Sequence, residues 1–98
     1  MEKLDLTPFK LAKLRPAEIG FLCGVSRVTA HTWMRKDSPV NPHRLIRERV
    51  KVVLSAVTRA VEAKDLPYTG DEPAVRKTPE GYNVRLEVLK LVQSQMAD

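Results

Sequence analysis

Between Ser26 and Lys36 the stretch SRVTAHTWMRK gathers side chains able to recognise a polyanion and the groups it carries. Placed on a helix of 3.6 residues per turn, Thr29, Ala30, Trp33 and Met34 share one side, while Arg27, Val28, His31, Thr32, Arg35 and Lys36 share the other. The first side is apolar and fit for a core. The second is a row of hydrogen-bond donors interrupted by one branched apolar residue, Val28. Valine is out of place on a solvated face, but the major groove of DNA offers it a partner. Guanine shows acceptors there, adenine a donor and an acceptor, and thymine a methyl group, so Arg27 can hold guanine through two bonds while Val28 packs on thymine.

Such a face needs a short, firmly held helix. Ser26 stands where a cap oxygen satisfies the free amides of a helix start, and Gly24 permits the left-handed backbone that ends one helix and turns into the next. Before it, RPAEIGFLCG opens with Pro16, carries Glu18 near the positive helix end, and supplies Ile19, Leu22 and Cys23 as an apolar side. TPFKLAKL predicts a still earlier helix, with Thr7 as cap, Pro8 in the first turn, and Phe9, Ala12 and Leu14 facing inward. The longest regular pattern, HRLIRERVKVVLSAVTRAVEAK, predicts a fourth helix with Asn41 as cap and Pro42 at its first position. Along it Ile46, Val50, Val53, Val57 and Ala60 form one apolar seam. Leu45, Val52, Ala56 and Ala63 form a second, open to the tail or to another subunit. Arg47, Arg49, Lys51 and Arg59 are expected in solvent. In the tail, Tyr82, Val84, Leu86 and Val88 alternate as in a strand, whereas Thr78, Pro79 and Glu80 suit a helix start and Leu86, Leu89, Val92 and Met96 continue at helical spacing. The helical alternative is adopted for residues 79–98.

Charge divides the chain unevenly. Residues 3–59 hold twelve Lys and Arg against four acids, and residues 60–98 hold five against seven. A positive field confined to one half suits nucleic acid or an anionic membrane surface. No apolar run is long enough to span a bilayer and no leader is visible, which points to a cytoplasmic protein without a membrane partner. Cys23 is the only cysteine, so it has no internal disulfide partner. With His43 it makes no metal-ligand spacing, and no phosphate loop or Ser/His/Asp set is present. No metal, cofactor or enzymatic activity is expected.

With these residues set out, the segment Pro16–Met34 resembles the helix-turn-helix of the lambda-repressor-like (Cro/repressor) family of phage and bacterial DNA-binding proteins. The likeness rests on GVSR, the following Thr29 and Trp33, close to a GVSRxTVxxW form. It implies a motif core in which Gly20 lets two helices approach, Gly24 makes the turn, Val25 enters the core and Trp33 anchors the second helix from beneath. Ala30 departs from the pattern, which carries a larger aliphatic residue there, and Gly20 stands where alanine is more usual. The resemblance further implies that Arg27, Val28 and Thr32 face base edges with His31 beside them. Arg35 and Lys36 would lie near phosphates, and Pro16, Ala17 and the helix start they open would approach the DNA backbone. Ser26, Lys13, Arg15 and Arg44 complete the expected phosphate contacts. The motif covers about twenty residues, the general likeness extends to roughly residue 64, and the tail is not covered.

The resulting expectation is an all-α domain of four to five helices with a long fourth helix and a C-terminal helix. Residues 1–64 would form the DNA-binding domain, 65–78 a Pro/Gly-rich linker, and 79–98 a helical segment for dimerisation or for a protein partner. The expected function is sequence-specific binding of double-stranded DNA by a homodimeric, repressor-like transcriptional regulator. Two alternatives stand beside it: a protein-binding or inhibitory module on the same scaffold, and the DNA-recognition subunit of a phage packaging or excision machine.

Overall fold

The computed structural model describes residues 3–35, 42–68 and 74–96. Among them the chain is mostly helical: α1 (Thr7–Leu11), α2 (Pro16–Cys23), α3 (Arg27–Arg35), α4 (Arg44–Glu62) and α5 (Leu86–Met96). A small antiparallel hairpin, β1 (Val75–Lys77) with β2 (Asn83–Arg85), precedes α5. Asn41 and Lys36 lie outside the described residues.

α4 is the centre of the packing because its first apolar seam is buried along its length. Val50, Val53, Val57 and Ala60 have no exposed surface, and Ile46 is half-buried. α1, α2 and α5 pack on it. The second seam divides: Ala56 is buried, whereas Leu45 is 83% exposed, Val52 is 47% exposed and Ala63 is also exposed. α5 contributes Val88, Leu89 and Val92 to the same cluster that holds Phe9, Ile19 and Trp33. The buried set thus runs from Leu6 to Val92 with no break near residue 64, and Leu66 belongs to it.

The tail corrects the all-α expectation, and both of its periodicities are real in different places. Tyr82 and Val84 alternate in and beside β2, and helical spacing takes over at Leu86 with no loop between. Thr78, Pro79 and Glu80 do not start a helix but make the hairpin turn. The Gly81 N–H donates to the Thr78 carbonyl at 2.9 Å, and Gly81 takes φ 90°. Proline second in a turn, followed by a left-handed glycine, is the chemistry of a short hairpin loop as much as of a helix start. The left-handed glycine is what separates the two. Val75–Lys77, within the stretch expected as linker, is accordingly strand.

Two helix starts also differ from expectation. Thr7 is the first residue of α1 and is itself held by Asp5, whose carboxylate accepts from the Thr7 hydroxyl at 2.6 Å and from its N–H at 3.0 Å. Those two bonds, the hydroxyl first, hold the Asp5 carboxyl below its ordinary range. α4 begins two residues beyond Pro42, because His43 caps it through Nδ1, which accepts from the Leu45 N–H at 3.1 Å. Of the arginines expected in solvent, Arg47 and Arg59 are withdrawn from it, while Arg49 is exposed as expected but also bonded. Arg47 is buried, Arg59 donates to the Gln95 carbonyl of α5, and Arg49 Nε donates to the Leu22 carbonyl of α2 at 2.6 Å.

Candidate nucleic-acid interface

α2 and α3 are joined by the turn Gly24–Ser26, and each end is fixed by a nameable bond. At the start of α2 the Glu18 carboxylate accepts from the Arg15 N–H at 2.9 Å. At its end Gly24, at φ 75°, and Val25 both donate their N–H to the Gly20 carbonyl, at 2.9 and 3.0 Å. Arg49 satisfies a further orphan carbonyl there, Leu22. α3 starts with Ser26, whose Oγ accepts from the Thr29 N–H at 3.1 Å and donates to Thr29 Oγ1 at 2.9 Å. Gly20 is required by this geometry. A Cβ on it would stand 2.8 Å from the Val25 carbonyl oxygen, which the turn cannot move without breaking its own bonds.

α3 sorts its side chains as its periodicity predicts. Ala30 is fully buried, Trp33 is 8% exposed, and Thr29 and Met34 are half-buried. Arg27, His31, Thr32 and Arg35 are exposed, and Val28 is 72% exposed among them. Thr32 carries one restriction: its hydroxyl donates to the Val28 carbonyl at 3.0 Å. What remains to it is the acceptor capacity of that oxygen and a methyl group.

The outward residues meet the start of α2 in a single groove of about 520 Å³. One wall carries Arg15, Pro16 and Ala17; the other carries Arg27, Val28 and His31. Lys13, Thr32, Arg35 and Arg44 lie outside that lining, all exposed, with Arg44 at the first position of α4. Ser26 lies on the far side of the turn, its hydroxyl engaged in capping, and Val25 is half-buried against the core. Ala17 is 8% exposed, so its backbone is what it can offer to a ligand.

The groove has a third contributor that the sequence reading did not single out. Asn83 of β2 lines it beside Arg27 and Val28. The hairpin carrying Asn83 is tied to both helices. Arg85 meets the fully buried Glu18 in an ion pair, with Arg85 Nη2 2.8 Å and Nε 3.1 and 3.2 Å from the carboxylate oxygens. It also donates to the Lys13 carbonyl at 3.0 Å. The Arg27 N–H donates to the Tyr82 hydroxyl at 2.7 Å, and the Arg76 guanidinium lies 5.7 Å from the centre of the Phe21 ring. Glu18 would by itself place a bare carboxylate at the helix end that faces the groove; Arg85 neutralises it. The available signal was TPEG between VRK and YNV, a turn set between two short β-prone runs.

Among the described residues no group of three or more His, Cys, Asp or Glu could hold a metal ion. Burial pushes the Cys23 thiol up to about 12, as expected for a packed side chain rather than a nucleophile. No helix among the described residues is long and apolar enough to cross a membrane. Set against models of known protein families, curated proteins and solved structures, the chain matches none of them.

Proposed function

We propose that the chain is a sequence-specific double-stranded DNA-binding protein in which α2 and α3 act as a helix-turn-helix, with α3 entering the major groove. The observation that carries this reading is the exposure of Val28 in a row of donors, directly above a buried Ala30 and Trp33. A valine so placed gains nothing from water but matches a thymine methyl, and Arg27 beside it matches guanine. Arg15 and the opening turn of α2 face the same groove and suit phosphate, and Lys13, Arg35 and Arg44, outside its lining, are exposed cations that would add to the attraction.

A repressor-like regulator of this kind works as a dimer. Leu45 and Val52, exposed on the outer side of α4, are the apolar residues a second copy would cover. Such a dimer would set its two α3 helices about one DNA turn, ~34 Å, apart. The operator is then an inverted repeat.

Selection of binding sites from random duplexes tests the reading. The expected result is a two-fold symmetric site, with Arg27→Ala lowering discrimination at one base pair by about 1–3 kcal/mol. Failure of the wild-type chain to bind any duplex at low salt rules out the proposal and favours a protein-binding role for the same exposed surface.

A further inference from the structure

We propose that the β1–β2 hairpin is a second DNA-contacting element, with Asn83 reading a base edge next to those of α3 and Lys77 holding a phosphate. The inference rests on the DNA-binding reading of α3 and extends it to a part of the chain for which neither the sequence nor the motif suggested such a role.

Three observations meet here. Asn83 is exposed and lines the groove together with Arg27, Val28 and His31, so whatever occupies that groove meets its amide. An amide pairs a donor with an acceptor, the combination that adenine N7 and N6 present in the major groove. Next, the strand register sets Lys77 directly opposite Asn83. Thr78 N–H bonds the Tyr82 carbonyl at 2.7 Å, so the neighbouring Lys77–Asn83 pair is the closer, non-hydrogen-bonded type, with both side chains on one face. Lys77 is exposed and extends that face beyond the groove.

The third observation is rigidity. Val84 is fully buried, Arg85 is paired with Glu18, and the Tyr82 hydroxyl is bonded to the first residue of α3. The hairpin is therefore already fixed relative to α3, and a contact made through it carries little ordering cost. Charge agrees. Residues 74–85 hold three cations and one acid; with Arg85 neutralised by Glu18, Arg76 and Lys77 still outnumber Glu80, within a half of the chain that is otherwise acidic. The fold brings this basic piece back to the basic half.

The test uses the full chain, the duplex recovered by site selection, and the variants Arg27→Ala, Asn83→Ala and Lys77→Ala, each checked for folding by circular dichroism. Asn83→Ala is expected to lose preference at one base pair, distinct from the pair affected by Arg27→Ala, by roughly five- to a hundredfold. Lys77→Ala is expected to weaken all sequences alike and to reduce the slope of log K against log salt by about 0.9. If Arg27→Ala changes the preference but either hairpin variant behaves as wild type, the hairpin proposal is overturned while the reading of α3 survives. If the wild-type chain binds no duplex, both fall.

Discussion

The outward face of α3 and the hairpin beneath its start are built by opposite means. On α3 every exposed group belongs to one short run, and its position follows from 3.6-residue periodicity and a single buried tryptophan. The hairpin is fixed by pairs distant in sequence: Arg85 to Glu18, Tyr82 to Arg27 and Arg76 to Phe21. Local pattern sets what the candidate interface offers, and non-local polar contacts set how firmly it is held. A change on α3 should therefore alter recognition with little effect on stability. A change beneath it should do the reverse.

The widest separation is expected at Glu18. Its side chain is fully buried, caps α2 and neutralises Arg85, so Glu18→Ala leaves a guanidinium that is 13% exposed without its partner. Loss of one member of a buried pair costs about 3–5 kcal/mol. For a domain of this length that lowers Tm by at least about 10 °C. Replacing both, Glu18→Leu with Arg85→Leu, should recover much of the loss, because no charge is then stranded. Thermal melts of the wild type and these two variants check this. Equal destabilisation of the single and double variants would mean that the ion pair is not what joins the hairpin to α2.

A smaller effect with a contrary sign is expected at Gly20. In an ordinary helix interior, glycine to alanine stabilises by about 1 kcal/mol. Here the added methyl meets the Val25 carbonyl at 2.8 Å, so Gly20→Ala should destabilise by about 1–3 kcal/mol. Denaturant midpoints measure it, and a gain in stability would show that the turn can give way.

Tyr82→Phe removes one hydrogen bond, that from the Arg27 N–H, and little else. The expected loss is about 0.5–1.5 kcal/mol. Amide exchange should locate it, with faster exchange confined to the first turn of α3 and the hairpin. Exchange unchanged at Arg27 would separate the hairpin from α3 altogether.

These contrasts explain what the sequence made legible. α3 and α4 carry amphipathic periods and α2 is bracketed by Pro16 and Gly24, so they and the outward row on α3 could be read directly. The start of α4 was misplaced because Asn-Pro is a common helix opening and a histidine cap is not. The hairpin was not assigned because the strand-like alternation from Tyr82 runs without a loop into the helical spacing from Leu86, and because Thr-Pro-Glu serves both a turn and a helix start. Asn83 could not be assigned to the groove from its neighbours, since its place depends on Glu18, sixty-five positions earlier, meeting Arg85.

The smallest effect tests the comparison at the helix ends. α1, α2 and α4 finish alike: after each, a residue with positive φ is followed by one whose N–H reaches back to the last turn. Leu14 bonds Phe9, Val25 bonds Gly20 and Asp65 bonds Ala60, at 3.2, 3.0 and 2.9 Å. The left-handed residue is glycine only at position 24, inside the candidate interface; the others are Lys13 and Lys64, at φ 55° and 65°. Lysine in that conformation costs about 1–2 kcal/mol, partly offset by its attraction to the negative helix end and by glycine's greater freedom when unfolded. Lys64→Gly should then stabilise the chain by about 0.5–1 kcal/mol and leave any DNA affinity unchanged, since Lys64 lies at the far end of α4 from Arg44. A stabilisation that rises with salt would identify the helix-end attraction as the offsetting contribution, because screening weakens what lysine supplies and not what glycine supplies.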